Sequence, residues 1–382
     1  MKILICQNAF KGALSAENAT EAVDRGLSQS GLNFESIKLP IADGGDGTLR
    51  ILKDVFNLSI ITTQAYDPFR RSIQARYGWA KSSKIGFIEL AEASGIKHLK
   101  KSELNPWTAS TYGSGIILSE LIDKGAKEIY LALGGSASVD GGVGILEALG
   151  VKFYDSEDNR LRELNPAKMN LITRVDAGFA RRKVQDVKIR ILCDVENPLL
   201  GINGSAVVFA PQKGASAEDV KGLENRLSRF SSVISDQFGV DVSNVKHGGA
   251  AGGVAAALKG VLNAQLLDGA HEVLKLVEFE EKMRGSDIVI TGEGKIDHQT
   301  LSGKGPGLIA YKSNDAGKRT IGFCGVSEDA KLKKNPFSEI IEINQESESL
   351  EDSLKNANSN LVAAAKLLGE RLKVEYKRSE FL

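Results

Sequence analysis

The chain has little of what several specialised protein classes require. Its three cysteines, Cys6, Cys193 and Cys324, are far apart, odd in number and without CxxC spacing. That excludes a disulfide framework and a thiolate zinc site, and it fits a reduced, cytoplasmic setting. Four histidines (His98, His247, His271, His298) form no HxH or HxxxH pair, so neither a zinc spacing nor a Ser–His–Asp arrangement emerges. No apolar run approaches the roughly 18 residues of a membrane span. The run in MKILICQNAFKG is too short for a secretory leader before Asn8 and Lys11 intervene. Charge imbalance is missing as well: Lys plus Arg and Asp plus Glu stand at 49 each, for a net charge of zero. That argues against a general nucleic-acid or polyanion binder. Internal repeats and low-complexity stretches are absent.

What remains is an ordinary globular composition, 42% apolar and 26% charged over 382 residues, a length that suggests about two domains. Met1 to Cys6 reads as a buried strand, Ser15 as the N-cap of a helix to about Ser28, and Phe34 to Leu39 as a second strand. Pro40 to Thr48 (PIADGGDGT) is a polar turn opening a helix to about Val55. From Leu58 the texture changes to three β-rich runs, Leu58–Tyr66, Ser72–Trp79 and Lys84–Leu90, which read as a meander. Asn105 to Gly115 leads into a helix. Ile129 to Leu133 is a strand followed by a small-residue loop and another helix, and Val151 to Asn159 reads as a hairpin. Val187 to Val195 is a strand ending in Asp194, and Gly201 to Gly214 is a loop with an edge strand. Ser216 and Asp219 form a capping box for a long helix stopped by Gly239. Asp287 to Thr291 is a strand, Gly292 to Gly305 a loop, and two more strands precede a final amphipathic helix from Leu350.

The two ends share a parallel-sheet grammar while the middle is mixed. The expected fold is therefore α/β with two domains. Residues 1–57 plus 271–382 form a discontinuous Rossmann- or flavodoxin-like domain, residues 58–270 form an inserted mixed α/β domain, and the active site lies in the interdomain cleft.

Four loops combine glycine with a carboxylate and often a lysine or hydroxyl: Asn8–Gly12, Asp43–Thr48, Gly134–Gly142 and Gly292–Lys304, joined by Asp194–Asn197. Glycines with lysines suit nucleotide phosphates. Separate carboxylates suit Mg²⁺ and a base for a hydroxyl nucleophile, which is the equipment of phosphoryl transfer. The loop after Leu133 is neither a Walker A loop, since no GK follows, nor a GxGxxG dinucleotide fingerprint. The amides at the start of its following helix form a candidate anion cradle. Each residue also has a structural reading: Asp43 and Asp46 as turn residues, Lys11 and Lys304 as solvated lysines, Asp140 and Asp297 as helix caps.

The motifs PIADGGDGT (40–48), TYGSG (111–115), LGGSASVDGG (133–142), CDVENPLLG (193–201), APQKGA (210–215), GAAGG (249–253) and TGEGKIDHQTLSGK (291–304) resemble, in order and with natural spacing, the type-1 glycerate kinases. The resemblance runs from the first strand to about Gly325. It implies ATP- and Mg²⁺-dependent phosphorylation of glycerate, typically to 2-phosphoglycerate, on a two-domain α/β fold. The family usually carries Asp at Asn8, and often Asn at Val139, Glu at Ile116 and Arg at Lys295. Asn8 keeps shape and hydrogen bonding but cannot take a proton, and Lys295 keeps charge but loses the bidentate fork.

The expected enzyme is thus a small-molecule kinase for D-glycerate. The alternatives are a kinase for another small hydroxy acid or polyol, or a non-catalytic nucleotide- or metabolite-binding regulator. From residue chemistry, Asp194 is the first candidate base, with Asp46 and Lys11 also catalytic and Asp43 and Asp46 the metal ligands. Gly134, Gly135, Ser136, Lys304, Gly292, Glu293 and Asp297 are assigned to the nucleotide, and Asn8, Asp43, Asn197 and Lys295 to the substrate. A nucleic-acid or membrane partner is not expected, and the oligomeric state stays open.

Overall fold

The computed structural model describes residues 1–45, 47–328, 335–344 and 349–379. It forms two compact units, Met1–Asp43 with Ala270–Leu382, and Gly44–Gly269. The strands among the described residues are β1 (Lys2–Gln7), β2 (Glu35–Lys38), β3 (Ser59–Tyr66), β4 (Ser72–Ala80), β5 (Ile85–Glu89), β6 (Glu128–Ala132) and β7 (Lys152–Tyr154). There follow β8 (Arg160–Leu161), β9 (Arg174–Asp176), β10 (Lys188–Cys193), β11 (Gln265–Asp268), β12 (Ile288–Ile296), β13 (Arg319–Ser327) and β14 (Glu339–Glu342).

The first unit holds a fully parallel sheet of order β14-β13-β12-β1-β2. Counted within the unit, this is the 2-1-3-4-5 order of doubly wound folds, whose order reverses between β1 and its neighbour β12. β1 is apolar on both faces, with Ile3, Leu4, Ile5 and Cys6 all fully buried, as a strand covered on both sides must be. The helix Ala16–Gln29 starts where Ser15 accepts a hydrogen bond from the Asn18 amide at 3.2 Å. It packs on the final helix, Leu350–Ser379, which buries Ala357, Leu361, Ala365, Leu368 and Leu372 at helical spacing. Gly26 makes this crossing close. A Cβ there would stand 2.3 Å from the Val362 carbonyl oxygen and 2.7 Å from the Ala365 Cβ.

The second unit is built on a six-stranded sheet of order β11-β10-β6-β5-β4-β3. β11, β10, β6 and β5 run parallel, and β4 and β3 continue antiparallel. The meander read from the sequence therefore forms one flank of a mixed sheet. A separate antiparallel sheet, β8-β7-β9, contains the expected hairpin. The capping box is present: Ser216 Oγ accepts from the Asp219 amide, Asp219 accepts from the Ser216 amide, and Gly239 closes the helix Ala217–Phe238 in the left-handed region.

Three expectations need correction. The edge strand in 201–214 is a helix, Ser205–Phe209. Its Val207 and Val208 favour a strand, but Ser205, Ala206 and Ala210 are buried at helical spacing and packing overrides propensity. The GEGKI segment is not loop: β12 runs on to Ile296 because β13 pairs with it as far as Ser327. The helix Thr48–Val55 belongs with the second unit and not with residues 1–43. Its Leu49 amide donates to the buried Glu89 carboxylate at 2.8 Å, and the Leu49 side chain fills the space left by Gly78 on β4.

Replacing Gly26 with Val forces the two long helices of the first unit apart. Urea unfolding of Gly26→Val should show a loss on the order of 1–3 kcal/mol, while Gly239→Ala, at an open helix end, should cost less.

Candidate active site

Elementary topology places ligand groups at the carboxyl ends of parallel strands, above all where strand order reverses. In the first unit that point lies between Gln7 of β1 and Gly292 of β12, which are register partners. Asn8 follows β1 and is buried. Its side-chain amide donates to Asp43 Oδ2 at 2.9 Å, and its Oδ1 accepts from the Ala9 amide at 2.8 Å. Asp43 Oδ1 accepts from the Gly305 amide at 2.7 Å, so this carboxylate also caps the helix Gly305–Asp315. One step along β12, Glu293 is buried and accepts from the Thr300 hydroxyl at 2.8 Å. Burial and the Asp43 charge push its carboxyl up to about 7, against the downward pull of Thr300, Lys304 and Lys11. A cleft of about 450 Å³ opens here, with Phe10, Val326 and Leu354 as apolar wall and Lys11, Glu293 and Lys304 as polar wall.

Other residues expected in this group have structural work. Gly292 is a packing glycine, since a Cβ would stand 2.1 Å from the Phe323 carbonyl oxygen. Asp297 accepts from the Gln299 and Thr300 amides as the N-cap of the turn His298–Leu301. Exposed Lys295 pairs with Glu328 at 3.0 Å and Asp297 at 3.4 Å. Asp46 lies outside the described residues.

In the second unit the adjacent parallel strands β6 and β10 end side by side, Ala132 against Leu192, and launch the loops carrying Gly134–Ser136 and Asp194. Gly45 needs its bare backbone here: a Cβ would lie 3.3 Å from Gly134 Cα and 3.5 Å from Asp194 Oδ2. Asp194 is exposed at the strand end. The Asn197 side-chain amide donates to the Asn203 carbonyl at 2.8 Å, which closes its own loop.

The expected anion cradle at the helix Val143–Ala148 is not available. Asp140, fully buried, accepts from the Thr111 amide and hydroxyl (2.8 Å each), the Gly142 amide (3.1 Å) and the Gly144 amide (3.3 Å). The Ile145 amide donates to the Thr111 hydroxyl at 3.0 Å. These groups take the free amides that a phosphate would need. Asp140 is thus the cap that its position also allowed.

Sequence reasoning missed Lys213. It follows the helix Ser205–Phe209, is buried, and donates to Ser136 Oγ at 2.7 Å and the Ser138 carbonyl at 2.6 Å. Burial pulls its ammonium down to about 8, opposed by Asp140 and Asp194. Lysine is ordinarily a surface residue, so nothing but its neighbouring glycine in APQKG pointed inward.

Parallel strands ending in glycines, carboxylates and lysines fit an α/β enzyme of the small-molecule kinase class. The glycerate kinase family model matches residues 3–373. A glycerate kinase of Bacillus cereus is 36% identical over 368 residues, covering 96% of each chain. The glycerate 2-kinase of Escherichia coli is 31% identical, covering 98% of each. A crystal structure assigned to glycerate kinase 2 of Salmonella typhimurium superposes with a TM-score of 0.85 at 32% identity, covering 99% of both chains. The chain belongs to the glycerate kinase family.

Asp140→Ala strands the Thr111, Gly142 and Gly144 amides in the interior. Calorimetry should show a loss on the order of 3 kcal/mol or more, against little change for exposed Asp194→Ala. Glu293 sets a pH dependence. It ionises near 4.5 when unfolded and near 7 when folded, so its contribution is complete below about pH 4.5 and is lost as pH rises through about 7. Between pH 5 and 8 the wild type should therefore lose stability relative to Glu293→Gln, by up to roughly 3 kcal/mol, as read by thermal midpoints.

Proposed function

We propose that this chain transfers the terminal phosphoryl group of ATP to D-glycerate and yields 2-phosphoglycerate. The observation that carries the reading is family membership over nearly the whole chain, together with the name of the E. coli relative. The cleft at the strand-order reversal of the first unit supports a nucleotide. Its apolar wall suits a base, and Lys11 and Lys304 suit phosphate charge.

Asp43 and Glu293 fit Mg²⁺, because a cation would relieve the repulsion by which the Asp43 charge raises the proton affinity of Glu293. When bound with the nucleotide, the ion would neutralise charge on the phosphate oxygens; Asp46 stays a further candidate ligand. Asp194 is the proposed base for the glycerate hydroxyl, since Asn8 cannot accept a proton and its amide is occupied by Asp43. The roles proposed for Asp297, Lys295 and Asn197 are reduced to shaping their loops, given the bonds they already make.

We also infer a cytoplasmic setting. The buried Cys6, Cys193 and Cys324, none in a disulfide, support it, and among the described residues no helix is long and apolar enough to cross a membrane.

ADP release should be fastest with D-glycerate among small hydroxy acids and polyols, and phosphorus NMR should find phosphate on C2. Asp194→Ala should lower kcat by about 10²- to 10⁴-fold with an unchanged thermal midpoint. Wild-type turnover in folded Asp194→Ala removes that residue from catalysis, and a broad or different preference removes glycerate.

A further inference from the structure

The second unit contains a cavity of about 250 Å³, bounded by Ile96, Ser136, Asp194, Phe209 and Lys213 among others. It lies below the usual range for nucleotide-sized ligands. One wall is a buried ammonium. Lys213 is 3% exposed, and both of its hydrogen bonds, to Ser136 Oγ and the Ser138 carbonyl, end on neutral oxygens. An ammonium carries three protons, so one remains for another acceptor. Among the described residues no carboxylate lies within ion-pair distance of it; Asp140 and Asp194 act only through their field. Holding a charge in such a place costs several kcal/mol unless an anion compensates it.

We infer that Lys213, with the Ser136 hydroxyl beside it, is the receptor for the carboxylate of the hydroxy-acid substrate. This inference rests on the reading of the chain as a glycerate kinase. Asp194 decides between a carboxylate and a phosphate. It lines the same cavity, so a doubly charged phosphate meets more repulsion than a singly charged carboxylate, whose hydroxyl neighbour can donate to Asp194. Leu133, Val195 and Phe209 offer apolar surface to a short carbon chain. The loop Gly134–Ser136, expected from the sequence to cradle phosphate, thereby becomes part of the acid's specificity pocket.

The test is steady-state kinetics of Lys213→Met, Lys213→Arg and Ser136→Ala with D-glycerate and with its neutral amide, each variant checked by circular dichroism. Lys213→Met should raise KM for D-glycerate about 10- to 100-fold, leave KM for ATP within about twofold, and shrink the preference for acid over amide by a similar factor. Lys213→Arg should restore part of that preference, which a purely structural role would not do. Ser136→Ala should raise KM for D-glycerate several-fold. A folded Lys213→Met with wild-type KM for D-glycerate overturns the inference while the kinase reading stands. So does a rise in KM for ATP alone, which would put the lysine on phosphate. If Lys213→Met does not fold, an unchanged KM and acid preference in Ser136→Ala overturns it instead. Absence of glycerate turnover in the wild type overturns the kinase reading. Calorimetric titration of the wild type with D-glycerate then decides the pocket: no binding overturns the inference too, and binding lost in Ser136→Ala or Lys213→Met upholds it.

Discussion

The carboxylate of Asp140 is the constraint on which the second unit's functional loops depend. It is fully buried and survives there because four donors, from Thr111, Gly142 and Gly144, surround it. Burial still raises its proton affinity, so the hydrogen bonds only partly offset desolvation. The consequence reaches beyond stability. By occupying the amides of the following helix start, Asp140 removes the helix terminus as an anion site and leaves Lys213 as the local source of positive charge. Its field also helps keep that buried lysine protonated. A structural carboxylate and a functional cation are therefore parts of one electrostatic arrangement.

The first unit solves a similar problem differently. Asp43 fastens the end of β1 to the start of the helix Gly305–Asp315, through Asn8 and the Gly305 amide. This holds both sides of the strand-order reversal in register with Glu293 on β12. Glu293 is then the group whose charge is left in the balance, with its pKa near 7 set by burial and by Asp43. Rigid carboxylates with saturated hydrogen bonds position the site, and the less saturated ones are available for chemistry.

The legible part of the fold was the part governed by local rules. The Ser15 cap, the Ser216–Asp219 box, the Gly239 stop and the apolar strands β1, β6 and β10 follow from short-range patterns. The misread parts were decided by distant partners. Val207 and Val208 sit in a helix because neighbouring positions are buried against the long helix Ala217–Phe238, and β12 outruns its apolar segment because β13 offers it hydrogen bonds. In the site, glycine and carboxylate loops were visible, but not which carboxylates were already engaged. Asp140 and Asp297 look like Asp194 in sequence, and only the amides bound to the first two mark them as caps. Lys213 was invisible for the opposite reason, because burial of a lysine is a tertiary outcome that runs against its composition prior.

Its hydrogen bond to Asp43 makes asparagine at position 8 compatible with a working site. Asn8 Nδ2 lies 2.9 Å from Asp43 Oδ2 and donates a hydrogen bond to it. An aspartate in this geometry would set two carboxylate oxygens against each other beside Glu293, and three acids would then share one buried corner. They could do so only by holding a proton or a cation between them. With asparagine the repulsion is exchanged for a hydrogen bond, and Glu293 feels one neighbouring negative charge instead of two. The substitution thus lowers the charge that a bound cation must satisfy in the first unit. It also leaves the proposed role of general base to a carboxylate elsewhere, and Asp194 stands exposed at the end of β10.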